Sequence, residues 1–230
     1  SSGKIRAAIN TGNPILANWN PQTKLPFGVS VDLANELAKE LEVQLELIVF
    51  DAAAKSFRAV TEGAADFGFF AIDPRRSELI QFTNPYVLIE GYYLVKESSS
   101  IWTNEDVDNS NNRVMVGKGS AYDLFLSREL KHASILRAPT SPSVVDEFIE
   151  QKVEVAAGVK QQLELSAKKY NNLRLLDKRF MVIKQAMGIS ISQNIEVLNY
   201  LSNFIEEKKR NGFIQQSLKR HNIMGAIVAE

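Results

Sequence analysis

The residues best suited to binding chemistry follow a short apolar run, Phe67-Gly68-Phe69-Phe70. The chain continues Asp73-Pro74-Arg75-Arg76, which places Arg76 where a strand gives way to a turn or a helix. A guanidinium offers a planar fork of N–H donors that matches a carboxylate, so Arg76 is a candidate anion-binding residue. Without further context, a solvated surface charge is the more common role for such an arginine.

A second candidate is the glycine-containing turn Gly117-Lys118-Gly119-Ser120, which precedes a helix predicted from Tyr122 to Leu130. Free N–H groups at Gly119-Ser120-Ala121 would lie at a helix N-terminus and would favour an anion. A tight turn between a strand and a helix accounts for the same residues without any ligand. Lys118 adds a positive charge to this turn or faces solvent.

The composition of the chain argues against several classes of protein. Lys+Arg and Asp+Glu both number 27 in 230 residues, and this zero net charge argues against a nucleic-acid partner. The longest apolar runs are far short of the roughly 20 residues that span a bilayer. The chain has no Cys and only two His without metal-ligand spacing, so the sequence predicts neither a disulfide framework nor a metal site or other cofactor.

Apolar periodicity gives strands that alternate with helices, which indicates a parallel, doubly wound α/β sheet. The predicted strands are Lys4–Ile9, Leu45–Phe50, Ala65–Phe70, Gly91–Glu97, Arg113–Val116, Ile135–Ala138, Val153–Ala157 and Met181–Ser190. Five helices are predicted as ranges: Val29 to Leu41, Tyr122 to Leu130, Val144 to Glu150, Lys160 to Lys168 and Phe213 to His221. Ser30 is the expected cap of the first helix, and Ser141 that of the third. Two further helices are recognised by their apolar residues, one by Phe57 and Val60 and one by Val197, Leu201 and Ile205 on a shared face.

These elements form two α/β lobes, the second inserted in the first. Lobe 1 comprises residues 1–95 and 187–230, and lobe 2 comprises residues 96–186. The chain crosses near Leu94–Lys96 and returns near Gln185–Gly188, so two hinge strands join the lobes. We expect a ligand cleft between them at the carboxyl ends of the strands, where open α/β sheets bind ligands.

Three segments resemble the type II periplasmic solute-binding proteins, in the branch that serves amino-acid ABC transporters. They are G-V-S-V-D-L-A-N-E-L-A at 28–38, the Arg76 segment with E-x-I-x-F-T-x-P-Y at 78–86, and G-K-G-S-A-Y at 117–122. The resemblance extends from Ile5 to about Ile223. It implies two doubly wound lobes, with a ligand carboxylate held by Arg76 and by backbone N–H groups at Ala71 and at the turn of Ser120.

The chain departs from this family where the ammonium of an α-amino acid is usually held. An acidic residue is common there, directly after the strand Val153–Ala157, but this sequence has Val159 or Lys160 at that place. No carboxylate follows until Glu164. Lys160 would repel an ammonium and attract a second anion. Alternatively, Lys160 only begins a surface helix.

The family also tends to place aromatic rings around the ligand, and the two ring positions fall at Asn13 and near Ala53. Asn10 and Asn13 instead indicate polar contacts, because an amide both donates and accepts hydrogen bonds. Phe70 would supply an apolar wall or pack in the core. Asp73 would reach the ligand or cap the helix that begins at Pro74.

We therefore expect a non-enzymatic, monomeric binding component of an ABC importer, which captures a small carboxylate-bearing ligand by closure of its lobes and docks on a membrane permease. The ligand could be an amino acid or a related organic acid. Ser1-Ser2-Gly3 resembles a cloning remnant, so an export signal could have been removed. We expect a periplasmic or otherwise extracytoplasmic location, with a lipid anchor as an option.

Two other functions remain compatible with the same fold. A dehydratase would use a carboxylate as a general acid, and only Asp73 and Glu90 are candidates in the first lobe. The sensor ectodomain of a membrane receptor would keep the same fold and ligand.

Overall fold

The structure, a computed structural model, describes residues 3–230, so Ser1 and Ser2 of the expected cloning remnant lie outside the described residues. The chain forms two compact units. Unit 1 contains the residues up to Leu88 together with Lys184–Glu230, and unit 2 contains Ile89–Ile183. The chain thus leaves unit 1 once and returns to it once.

Strands and helices alternate through most of the chain. The strands are β1 (Lys4–Asn10), β2 (Asn18–Trp19), β3 (Pro26–Phe27), β4 (Gln44–Phe50), β5 (Phe67–Ala71), β6 (Ile80–Phe82), β7 (Val87–Lys96), β8 (Arg113–Gly117), β9 (Ser134–Ala138), β10 (Val155–Val159), β11 (Leu173–Leu175), β12 (Met181–Ser190) and β13 (Ile227–Val228). The helices are α1 (Val29–Glu40), α2 (Ala53–Thr61), α3 (Pro74–Ser77), α4 (Ala121–Glu129), α5 (Val144–Glu150), α6 (Lys160–Lys169), α7 (Ile195–Arg210) and α8 (Phe213–Arg220).

In unit 1, the parallel strands β4, β1 and β5 lie side by side, and β12 pairs antiparallel with β5. One core cluster packs on this sheet around Phe70, with Ala8, Val60 and Ile80. The two glycines beside Phe70 make room for its ring, because a Cβ on Gly68 would lie 2.5 Å from a ring carbon and one on Gly188 would lie 3.0 Å from it.

In unit 2, the strand order is β7-β10-β8-β9, with β10 antiparallel to β7 and parallel to β8. β11 pairs antiparallel with the end of β7. The core contains apolar residues from β7, β8, β10 and the helices α5 and α6, among them Leu94, Met115, Phe148 and Leu163.

The α/β class is confirmed, but the sheets are mixed rather than wholly parallel, because β12 and β7 run against their neighbours. Two expected caps are wrong. Gly28 is the N-cap of α1, and Ser30 lies buried inside that helix. Ser141 belongs to a short 3-10 turn that Thr140 caps together with Ser143.

The expected apolar face of α7 is also partly wrong. Val197 is exposed, whereas Leu201, Phe204 and Ile205 are buried with Lys208. The strand expected at Val153–Ala157 begins and ends two residues later, so Gly158 and Val159 belong to β10. The short strands β2, β3, β6, β11 and β13 were not predicted, because two or three residues give no measurable periodicity.

Candidate functional site

Arg76 is held at the carboxyl end of β5. Asp73 caps the short helix α3 by accepting a hydrogen bond from the backbone N–H of Arg75 at 2.9 Å, and Pro74 occupies the first helical position. This turn directs Arg76 back towards the strand, where its Nη1 donates to the carbonyl oxygen of Ala71 at 3.1 Å. Arg76 and Asp73 are each only 4% exposed.

The burial of Arg76 has an electrostatic consequence. Loss of hydration lowers the pKa of its guanidinium to about 10, and the nearby Asp73 carboxylate acts in the opposite direction. Arg76 is therefore still a cation at neutral pH, but its charge has lost much of its water. A buried cation of this kind gains free energy when an anion binds against it.

Two amide side chains lie at the same edge of the unit 1 sheet, because β1 runs parallel to β5 and ends at Asn10. The Oδ1 atom of Asn10 accepts from the N–H of Gly12 at 2.8 Å, and that of Asn13 accepts from the N–H of Ile15 at 3.3 Å. Both side chains are half-buried. Their oxygens thus shape the loop after β1, and the amide N–H groups are the atoms suited to a ligand.

Of the two alternatives for Phe70, the structure favours packing in the core over a ligand wall. Its side chain is 2% exposed, belongs to a core cluster and meets Phe57 edge to face at 6.1 Å between ring centroids. Successive side chains of a strand point to opposite faces, and Phe70 points to the face that α2 covers. Ala71 and Arg76 remain as the candidate residues of this segment.

In unit 2, the turn before α4 is only partly as expected. Gly119 has a φ of +69°, and its N–H donates to the carboxylate of Asp123 at 2.8 Å. The N–H of Ser120 donates to the carbonyl oxygen of Gly117 at 3.0 Å, while Ser120 Oγ accepts from the N–H of Asp123 at 3.1 Å. Gly119 and Ser120 therefore do not offer free N–H groups, because this turn uses them internally.

Of the three N–H groups expected to face an anion at this turn, that of Ala121 is the one left. The N–H of Ala121, the first residue of α4, has no acceptor within residues 3–230. Asp123 is neutralised by Arg137, whose Nε lies 3.0 Å from the carboxylate, so it adds little net negative charge at this end. Lys118 is exposed and its backbone N–H donates to the carbonyl oxygen of Ala138.

Lys160 is the first residue of α6, directly after the buried Val159. Its ammonium lies 5.1 Å from the centroid of the Tyr92 ring, within cation–π range, and its side chain is half-buried. The first turn of α6 contains no acidic residue, and Glu164 is exposed. Since β8 and β10 are parallel, Ala121 and Lys160 follow the same edge of the unit 2 sheet.

One residue beside the Arg76 segment was not predicted. Gln185 lies opposite Ala71 in the antiparallel pairing of β5 and β12 and is 5% exposed. Its Oε1 atom accepts no hydrogen bond from any residue that the structure describes. A glutamine within the apolar run of β12 was the available signal, because a buried polar group needs a reason to be there.

The candidates for acid–base catalysis are engaged in other contacts. Asp73 caps α3, and Glu90 forms an ion pair with Arg179 at 2.7 Å. Within the described residues, no three His, Asp or Glu side chains come together in a way that could hold a metal ion. None of the helices in residues 3–230 is both long and apolar enough to cross a membrane.

Comparisons with known proteins agree with this fold. The amino-acid-binding protein AabA of Dichelobacter nodosus is 22% identical over 202 residues, which cover 85% of this chain and 79% of AabA. A solved structure of the solute receptor for L-cysteine of Neisseria gonorrhoeae has a TM-score of 0.83 at 19% identity, covering 99% of this chain and 96% of that one. A histidine kinase sensor domain similar to periplasmic binding proteins has a TM-score of 0.82 at 16% identity, covering 98% of both chains.

At these identities, the similar structures show the fold and do not assign a ligand. The family comparison is more specific, because the bacterial extracellular solute-binding proteins, family 3, match residues 5–223. This range contains the Arg76 segment, the turn before α4 and the start of α6. The chain therefore belongs to the bacterial extracellular solute-binding proteins of family 3.

Proposed function

We propose that this chain is the extracytoplasmic solute-binding component of an ABC importer and that it captures a small ligand through a carboxylate. The observation that carries the proposal is Arg76, a guanidinium that is 4% exposed and fixed to the end of β5 by Ala71. A carboxylate binds such a planar fork through two charge-assisted hydrogen bonds. The names of the similar proteins, an amino-acid-binding protein and an L-cysteine receptor, support the same class of ligand.

Each unit contributes its own features to this proposal. Unit 1 supplies Arg76 with the amide groups of Asn10 and Asn13. Unit 2 supplies the N–H of Ala121 and the ammonium of Lys160. Because the first turn of α6 carries a lysine and no acidic residue, this part of unit 2 favours a neutral or anionic group over an ammonium.

The engagement of Asp73 and Glu90 in structural contacts supports a binding role over an enzymatic one. A membrane permease is then the partner, the protein acts as a monomer, and a location outside the cytoplasm fits the family. A lipid anchor is compatible with this role.

A thermal-shift screen of amino acids, dicarboxylates and other small organic acids tests the proposal. A ligand at 100 times its dissociation constant stabilises a protein by about 2.7 kcal/mol, which is readily measured. We expect stabilisation by acids that lack an α-amino group, and none in an Arg76→Ala variant. A set in which only ligands without a carboxylate stabilise the protein would contradict the proposal.

A further inference from the structure

Unit 2 displays a tryptophan that is both exposed and fixed in place. The Trp102 side chain is 63% exposed, and one face of its indole lies 3.8 Å from the guanidinium carbon of Arg174. That guanidinium is itself held by the carbonyl oxygens of Ser99 and Ile101, at 2.9 and 2.8 Å. A large apolar side chain is thus kept in water on a rigid support.

The backbone around Trp102 is fixed as well. The carboxylate of Asp106 accepts hydrogen bonds from the N–H groups of Trp102 and Thr103, at 2.9 and 2.8 Å. These two hydrogen bonds hold the pKa of Asp106 below its usual value, and the one from Thr103 has the larger effect. The ring therefore loses little conformational entropy when a partner contacts its open face.

A small pocket opens beside the ring. Its volume is about 90 Å³, and it is lined by Trp102, Thr103, Asn104, Glu105, Leu176, Asp177 and Lys178. Pockets that enclose a whole small molecule usually measure about 300–1,000 Å³. This pocket is of the size that takes the end of one side chain.

The polar groups of the pocket mainly accept hydrogen bonds. Glu105 and Asp177 are exposed carboxylates, and Lys178 is the one cation among the lining residues. Asn104 donates through its Nδ2 to the carbonyl oxygens of Lys178 and Arg179, and its Oδ1 is buried, so the accessible acceptors of the pocket are the carboxylates of Glu105 and Asp177. Acceptors of this kind are complementary to a guanidinium or an ammonium.

We propose that Trp102 and the adjoining pocket form a docking site for a protein partner, which inserts an arginine or lysine side chain against the open face of the indole. Tryptophan and arginine are the side chains most often found at the energetic centre of protein interfaces. A cation over a tryptophan face gains further from the ring quadrupole. None of these residues belongs to the Arg76 segment, so the proposal does not depend on the solute that the protein binds.

Trp102 fluorescence tests this site directly. The chain has two tryptophans, so a Trp19→Phe variant leaves Trp102 as the only reporter. The probe is acetyl-Gly-Ser-Arg-Ser-Gly-amide, whose capped ends give no carboxylate to the solute site, with a norleucine peptide as its control. We expect a saturable change in emission with the arginine peptide that weakens in 0.5 M salt, and none with the norleucine peptide.

Matched variants separate the acceptors from general effects of charge. The double variant Glu105→Gln/Asp177→Asn should lower the affinity for the arginine peptide about three- to ten-fold. Lys178→Gln should raise this affinity. Glu164→Gln, which neutralises a charge elsewhere on unit 2, should leave it unchanged. Equal responses to both peptides, no saturable response, or an affinity that none of these variants alters would overturn the proposal.

Discussion

Nη1 of Arg76 lies 3.1 Å from the carbonyl oxygen of Ala71, the last residue of β5. This hydrogen bond joins the side chain to the end of the strand from which its own segment departs. The guanidinium is therefore oriented before any ligand arrives, and binding need not order a long flexible side chain. A preorganised fork of donors is what a tightly held carboxylate requires.

The buried state of Arg76 predicts how carboxylate binding depends on pH. Burial lowers the pKa of Arg76 to about 10, so the side chain is charged at neutral pH and loses its proton as the pH rises through that value. We expect a constant affinity from pH 6 to about pH 8 and a steep fall above about pH 10. Isothermal titration calorimetry measures this affinity, and a value that stays constant through pH 11 in the folded protein would contradict a lowered pKa for Arg76.

Lys160 should influence which ligands bind. A Lys160→Asp change replaces the cation at the start of α6 with a carboxylate, which attracts an ammonium. We expect the affinity for α-amino acids to rise relative to that for dicarboxylates, by about ten-fold or more. Lys168→Asp, on the exposed last turn of the same helix, is the control. Equal selectivity in the wild type and the Lys160 variant would place Lys160 outside the binding site.

Lys208 should stabilise unit 1 through ion pairs between its buried ammonium and partly exposed glutamates. Its side chain is 4% exposed; its ammonium contacts Glu40, lies 3.3 Å from Glu36 and lies 5.2 Å from the ring centroid of Phe204. Burial disfavours the charge, but the hydrogen bonds to Glu40 and Glu36 outweigh it and raise the pKa of Lys208. Its contribution to stability is therefore complete below its ordinary pKa of 10.5 and is lost as the pH rises through the higher folded value.

At neutral pH, Lys208→Met should lower the free energy of unfolding by about 1 kcal/mol, because it leaves Glu36 and Glu40 without their cation but still in partial contact with water. Lys219→Met, on an exposed position of α8, should change it by less than about 0.5 kcal/mol. Urea unfolding at pH 7 compares the two variants. Similar losses in both would show that the ion pairs of Lys208 contribute little.

Glu154 should make the protein more stable at neutral than at acidic pH. Its carboxylate accepts from Arg113 Nε at 2.9 Å, and this side-chain hydrogen bond is the main cause that lowers its pKa. The stabilisation is complete above its ordinary pKa of 4.5 and is lost as the pH falls through the lower folded value. Between pH 7 and pH 3, the temperature of thermal unfolding should fall less in Glu154→Gln than in the wild type. An identical dependence of the unfolding temperature on pH in both proteins would refute the contribution of Glu154.

Arg76 is singled out through the family resemblance, because an apolar strand, a turn with Asp73 and Pro74, and an arginine two residues later do not by themselves distinguish a ligand-binding residue from a surface charge. The hydrogen bond from the Gly119 N–H to Asp123 could have been predicted from neighbouring residues but was not. Ser120 and Asp123 have the spacing of a helix-capping pair, and Asp123 takes that N–H for itself. Such a pattern lowers the number of free N–H groups that a turn can offer a ligand.

Other features depend on contacts between distant parts of the chain, which periodicity does not report. The side to which Phe70 points follows from Gly188 on another strand, 118 positions away in sequence numbering. The partners of Lys208 at Glu36 and Glu40 are 172 and 168 positions away. A lysine on a helix is ordinarily solvated, so its burial could not be predicted from α7 alone.

Calorimetric titration of Arg76→Ala against wild type, with a carboxylate ligand from the screen, tests the central claim most directly. Arg75→Ala is the matched control, because Arg75 is the exposed neighbour on the same short helix. We predict that Arg76→Ala weakens binding about 100-fold or more, since a charge-assisted bidentate contact is lost, and that Arg75→Ala binds like wild type. A folded Arg76→Ala protein with wild-type affinity would contradict the account.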